Sequence, residues 1–201
     1  MNSISEIIIS SISSIPASIQ LFVISLFSFA EGLPIVGSIL PGGTIAILAG
    51  TLVEKGLLTP LLTVVVIGMS SFIGDMTGFF IGKKFKHLKW VRNLVDNEKH
   101  QKSWDFFDRH LMLISIFGKL IPVIRSTPSI FAAVRGVKAR RYILYSFIGS
   151  VLWAAVGVFA GKFLEEFFGD NTISILLIAI VASISFVLVR MVIKNLYKKY
   201  K

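Results

Sequence analysis

The sequence has no cysteine, 11 acidic residues against 21 basic ones, and a charged fraction of only 16% over 201 residues. The first absence excludes a disulfide scaffold and a cysteine zinc site. The scarcity of charge, beside 54% hydrophobic residues and a mean hydropathy of +0.79, excludes a disordered chain and an ordinary soluble domain, in which about a quarter of residues are charged. There is no Gly-x-Ser-x-Gly elbow and no Walker loop, so hydrolase and ATPase chemistry lack their parts and no enzyme is expected. His87, His100 and His110 stand in or beside a basic stretch without metal-ligand spacing, so neither a metal nor another cofactor is expected. What is abundant is apolar. At about 20 residues per crossing, the length holds four to six membrane segments, and the expected class is an all-α polytopic membrane protein.

The net charge of +10 raises the question of nucleic acid. Its basic residues, however, gather at Lys83 to Arg109, Arg135 to Arg141 and Lys194 to Lys201. Such clusters in a membrane chain mark the cytoplasmic face and meet anionic headgroups, so membrane lipids are the expected partners and nucleic acid is not. The expected location is the cytoplasmic membrane, with the basic loops and the C-terminus cytoplasmic. Met1 to Gln20 carries Glu6, no Lys or Arg and no cleavage signature, so no removed signal peptide is expected.

Residues 1–17 form the first region. Isoleucines at 4, 7, 8, 12 and 15 at near-helical spacing fit an interfacial amphipathic helix over 3–15, or equally the frayed start of the first span. Ser18 to Leu33 continues as an apolar helix. Thr59-Pro60 has the form of an N-cap and first helical position, and the helix can run to Gly82, about 34 Å. Gly74, Gly78 and Gly82 make two small-x-x-x-small steps that let another helix approach. Tyr142 to Gly161 and Asn171 to Val189 are uncharged and read as spans. The membrane domain is expected over 18–165, followed by a C-terminal transmembrane helix and basic tail over 166–201. Trp90 and Trp104, among lysines, suit an element on the cytoplasmic interface.

Two stretches resist a simple lipid-facing helix. Gly32 to Val53 is interrupted by Pro34, Gly37, Pro41, Gly42 and Gly43, and His110 to Val134 carries Lys119, Pro122, Arg125 and Pro128. A charge at membrane depth costs several kcal/mol unless it faces protein or water. If 110–134 crossed fully, the basic loops on either side of it would lie on opposite faces, against the positive-inside bias. The charge pattern therefore predicts two opposed re-entrant helical hairpins, at 32–53 and 110–134, meeting near the midplane. Glu31-Gly32-Leu33-Pro34-Ile35 also parallels Lys119-Leu120-Ile121-Pro122-Val123, a short echo of the inverted repeats of secondary transporters.

The chemistry expected of such a centre is anion binding. The amides of Gly42, Gly43 and Thr44 follow Pro41, Ser126 or Thr127 can cap a half-helix with Pro128 in its first turn, and helix N-termini favour anions. Lys119 and Arg125 add positive charge suited to phosphate. Glu31 can pair with either cation in the empty site and take up a proton when a guest binds, and Asp75 is a second candidate proton carrier. The rival reading is a buried charge network that only fixes the fold.

These motifs resemble the DedA family, also called the SNARE-associated or VTT-domain family, over about residues 29–165. The resemblance rests on Glu31, Pro34 and Pro41-Gly42; on Gly74-Asp75, Gly78 and Ile81-Gly82; and on Phe117-Gly118-Lys119-Leu120-Ile121-Pro122-Val123-Ile124-Arg125, continuing through Pro128 to Gly149 and Trp153. It implies opposed re-entrant hairpins and lipid transport across the bilayer, of undecaprenyl phosphate or a phospholipid, with proton coupling in several bacterial members. It assigns the essential acid and cations to Glu31, Lys119 and Arg125. The chain departs from the family pattern at Gly43, where an acid is usual, at Lys119, where arginine is usual, and at Ala133, where glycine is usual. One titrating group is thereby lost, and a planar guanidinium fork is exchanged for a point charge.

The resulting expectation is a flippase or scramblase for a phosphate-bearing lipid. Lys119, Arg125 and the hairpin tips would hold the phosphate, and Glu31 would gate or relay a proton. The alternatives are a proton-coupled transporter of a small solute and a non-transporting membrane scaffold. A homo-oligomer is compatible with the sequence.

Overall fold

The structure, a computed structural model, describes residues 11–34, 36–38, 42–88, 107, 109–120 and 127–169. Most of the expected 3–15 helix, the C-terminal span and basic tail, Trp90, Trp104, and the predicted site residues Pro41, Pro122, Arg125 and Ser126 lie outside the described residues.

Among the described residues the regular structure is entirely helical: α1 Ala17–Gly32, α2 Gly42–Glu54, α3 Pro60–Phe85, α4 Leu111–Phe117, α5 Thr127–Val134 and α6 Ala139–Phe168. Short 3-10 turns cover Val36–Ser38 and Gly118–Leu120. Two helices are long and apolar enough to cross a membrane, α3 with 26 residues and α6 with 30. Helix α3 begins as its sequence predicts, with Pro60 in the first turn, where a missing N–H costs nothing. Thr59 does not cap it with its side chain; instead both the amide and the hydroxyl of Thr63 donate to the Thr59 carbonyl. The helix also outruns the expected end at Gly82 by three residues, because Lys83 and Lys84 reach solvent in its last turn.

The order helix, break, helix, glycine turn, long helix occurs twice, as α1–α2–α3 and as α4–α5–α6. The two glycine turns have the same construction. Gly56 and Gly136 have φ of 74° and 73°, a left-handed conformation in which a side chain would be strained. The amides of Gly56 and Leu57 donate to the carbonyls of Val53 and Leu52, and those of Gly136 and Val137 to the carbonyls of Ala133 and Ala132. Each is a Schellman motif that ends a short helix and turns the chain into a long one.

Small residues then decide which helices touch. A Cβ added to Gly32 would lie 2.6 Å from the Ser71 carbonyl oxygen and 2.9 Å from the Gly74 Cα, so α1 crosses α3 backbone to backbone. Further along α3, Gly78 receives Pro34 and Ser129, and Gly82 receives Ile130 and Ala133 of α5. The predicted small-residue face therefore takes up both broken segments. Correspondingly, Gly149 of α6 receives Ser115 and Ile116 of α4, while Gly157 and Gly161 receive Ala46 and Ile47 of α2. Helices α3 and α6 run antiparallel, with Gly68 beside Ala154, Asp75 bonded to Ser146 and Phe79 stacked on Tyr142 at 4.8 Å.

Two apolar clusters result, one at each end. Ile24, Leu52, Leu58, Ile67, Trp153 and Val158 belong to the end where α2 meets α3. Met76, Phe79, Phe107, Ala132, Ala133 and Tyr142 fill the end carrying exposed Lys83, Lys84, Arg135, Arg140 and Arg141. At the first end Lys55 pairs with Glu165 at 2.7 Å and Lys162 with Glu54 at 3.3 Å, tying α2 to the last turns of α6. The outward faces of the long helices remain apolar, with Leu61, Phe80, Phe159, Phe163 and Phe167 each more than half exposed, which suits contact with lipid rather than water.

Candidate functional site

Between the two apolar clusters lies a buried polar layer. Lys119 reaches it from the 3-10 turn that follows α4, where the helix gives way just before the undescribed 121–126. Its side chain is 5% exposed and its ammonium lies 2.6 Å from Asp75 Oδ2. The same ammonium donates to Ser150 Oγ at 2.5 Å and to Ser71 Oγ at 3.1 Å. Ser146 Oγ donates to Asp75 Oδ2 at 2.5 Å, and Ser150 Oγ donates to the Ser146 carbonyl at 2.7 Å. One cation from the second unit is thus bound by a carboxylate and a hydroxyl of α3 and by a hydroxyl of α6.

Helix geometry explains why these groups converge. Ser71 and Asp75 are four residues apart on α3, as are Ser146 and Ser150 on α6, so each pair projects from one helix face. Glycines beside them bring the backbones close: Gly74 adjoins Asp75 and meets Gly32, and Gly149 adjoins Ser150 and meets α4. Glu31, in the last turn of α1, is 2% exposed and stands beside the pair. A small cavity is lined by Glu31, Gly32, Ser71, Asp75, Lys119 and Trp153, with about 10 Å³ open to the centre of a water molecule. That is room for about one water.

Of the residues expected from sequence, Glu31, Asp75 and Lys119 are brought together. Asp75, named only as a second proton carrier, is the carboxylate bound directly to Lys119; of the two partners expected for Glu31, Lys119 or Arg125, the second lies outside the described residues. Gly42, Gly43 and Thr44 open α2 as expected but are not among the residues lining the cavity. A Cβ added at Gly43 would meet nothing among the described residues within 4 Å. Thr127 and Pro128 open α5, with Pro128 buried, and Pro34 packs against Gly78. Ser71, Ser146, Ser150 and Trp153 had not been proposed as site residues. Their signal was present as hydroxyls at four-residue spacing inside otherwise apolar helices, where polar groups are expensive and rarely idle. Among the described residues no group of three or more His, Asp or Glu could hold a metal ion.

The VTT domain family matches residues 40–163, more than half of the chain and all of the layer except its α1 contribution. The chain belongs to the VTT-domain, or DedA, family. It is 30% identical over 146 residues to the uncharacterized membrane protein BU139 of Buchnera aphidicola from Acyrthosiphon pisum, covering 71% of this chain and 56% of that protein. It is 26% identical over 142 residues to the inner membrane protein YghB of Escherichia coli K12, covering 69% and 65%. The match to the inner membrane protein YqjA of the same organism is 23% over 189 residues, covering 89% and 85%. The chain thus spans under two thirds of the length of the first two relatives. No solved structure matches it. Membership of the VTT domain family agrees with the apolar outer faces of α3 and α6 and identifies a membrane protein whose relatives reside in the inner membrane.

Proposed function

We propose that this VTT-domain protein moves a phosphate-bearing lipid, undecaprenyl phosphate or a phospholipid, between the leaflets of the cytoplasmic membrane, without transforming it chemically. The observation that carries the reading is the buried Lys119–Asp75 pair, joined by Ser71, Ser146, Ser150 and the neighbouring Glu31. Burying such a pair is costly, and an apolar replacement often serves stability as well or better. Ionisable groups at membrane depth therefore argue for work on a charged guest.

In this reading α1–α2 and α4–α5 are two re-entrant hairpins, dipping in from opposite faces and related as inverted repeats. What supports it is the repeated order of elements, the paired Schellman turns and the contacts of α2 with α6 and α5 with α3. The basic end is cytoplasmic by the positive-inside rule. Lys119, with Arg125, binds the phosphate; Glu31 and Asp75 exchange charge with it; the acyl chains stay in lipid along the apolar outer faces. The small cavity then belongs to a closed state, and transport requires the hairpins to part.

The test is reconstitution into liposomes with labelled undecaprenyl phosphate or phospholipid and measurement of leaflet exchange. Lys119→Met and Glu31→Gln should each lower the protein-dependent rate by at least about tenfold, the effect of losing one charged contact in the transition state. Exchange at the wild-type rate by folded variants overturns the reading. Solute uptake driven by a pH gradient, without lipid exchange, would replace it with the small-solute transporter.

A further inference from the structure

An ammonium group has three N–H donors. At Lys119 all three have an acceptor within 3.1 Å: Asp75 Oδ2, Ser150 Oγ and Ser71 Oγ. The acceptors are themselves held, because Ser146 donates to the same Asp75 oxygen and Ser150 donates to the Ser146 carbonyl. Lys119, one of the two cations assigned to the phosphate, is therefore already saturated. Among the described residues the adjoining cavity has room for about one water, so a phosphate that reaches Lys119 competes with the carboxylate for the same donors.

We propose, resting on the lipid-phosphate reading above, that Asp75 is a built-in stand-in for the substrate's phosphate: a phosphate oxyanion binds Lys119 by displacing the Asp75 carboxylate, which takes up one proton as it leaves. The titratable groups facing Asp75 among the described residues are Lys119 from the turn after α4, Glu31 from α1 across the cavity, and Tyr142 from α6. Of these, Lys119 is the cation bonded to Asp75. Once it is given over to phosphate, Asp75 loses that bonded cation while still buried, and an unpaired buried charge is neutralised rather than kept. The proton comes from water on whichever side the site is then open to, and no covalent bond of the lipid is made or broken. Ser146 suits the exchange, since its hydroxyl donates to the carboxylate and can rotate to accept from the protonated acid. The saturated ammonium thus couples substrate binding to uptake of one proton, a coupling that needs no acid at position 43.

The experiment is titration calorimetry on the purified full chain. Its main probe is dihexanoylphosphatidylglycerol, a phosphodiester whose single charge does not titrate near neutral pH. Repeating the titration in two buffers of unlike ionisation enthalpy counts the protons taken up. A short-chain polyprenyl phosphate and inorganic phosphate are titrated in parallel for binding. Wild type should bind a lipid probe saturably and take up about one proton per phosphodiester, while Asp75→Asn should bind about tenfold tighter with no proton uptake. Binding without proton uptake, or an Asp75→Asn variant that binds no tighter, overturns the exchange while leaving the lipid-phosphate reading intact. Folded wild-type protein that binds none of the probes removes that reading, and the exchange with it. Inorganic phosphate bound as tightly as the lipids keeps the exchange and makes free phosphate the guest. Should Asp75→Asn fail to fold, the count is repeated on Glu31→Gln: about one proton still taken up supports Asp75 as its acceptor, and none overturns it.

Discussion

At the scale of single residues, the informative feature is how fully the buried charges are satisfied. Lys119 has three acceptors, and Asp75 Oδ2 has two donors. Removing one member of such a pair strands the other. Lys119→Met should therefore cost about 3–5 kcal/mol, read as a lowered unfolding midpoint in detergent. Adding Asp75→Asn to Lys119→Met should recover most of that loss, while lipid exchange stays abolished. Additive damage would show that the two side chains do not depend on each other. The sequence made Lys119, Glu31 and Asp75 conspicuous, since ionised groups inside apolar stretches stand out by cost alone. It did not reveal which acid binds the lysine, because a carboxylate on α1 and one on α3 look equivalent until the helices are packed. The serines escaped notice for a related reason: their hydroxyls can bond to a carbonyl of their own helix, as Ser28 does to Ile24, and only a partner from another helix distinguishes Ser146.

At the scale of elements, glycine positions set the helix crossings. Gly74 meets the Phe29 carbonyl and Gly32 with no room for a methyl group, whereas Gly43 meets no described residue. Gly74→Ala should destabilise by about 1–3 kcal/mol through overpacking. Gly43→Ala, in the first turn of α2, should change stability by less than about 0.5 kcal/mol, since alanine favours the helix and nothing obstructs it. Thermal unfolding in detergent compares the two, and equal effects would contradict the crossing at Gly32 and Gly74. Helices α1, α3 and α6 were legible from apolar runs, Pro60 and the flanking charge, but α3 and α6 run past their expected ends, where Lys83 and Lys84 reach solvent and Lys162 and Glu165 pair with Glu54 and Lys55. The first broken segment was less so. The sequence placed its outer limb after Gly32, whereas the helix that leads into the break is α1 itself, ending at Gly32, with the short turn Val36–Ser38 and then α2 beyond it.

At the scale of the whole molecule, the polar layer sits between two apolar clusters, one end closed by the Lys55–Glu165 and Lys162–Glu54 pairs and the other bearing exposed lysines and arginines. If α4 and α5 form a hairpin that returns to its own side, the residues before and after it share one aqueous compartment. The chain has no cysteine, so a single introduced thiol reports without background. His87→Cys and Arg135→Cys should react with an impermeant maleimide from the cytoplasmic side, and Thr59→Cys from the opposite side, all three positions being exposed. Opposite-side labelling of positions 87 and 135 would mean that 110–134 crosses the membrane completely.

The sequence by itself determined a helical membrane chain of the VTT-domain family, its two broken segments, and the presence of ionised residues near the breaks. Composition and proline position suffice for that, since each acts locally through the cost of exposing apolar surface to water or of continuing a helix past a proline. Tertiary structure decided that Asp75 is bonded to Lys119 and that, among the described residues, Ser71, Ser146 and Ser150 join them in one buried layer beside a cavity with room for about one water. The reason is that hydrogen-bond partners depend on where helices cross, and each crossing depends on glycines far apart in the chain that let two backbones approach.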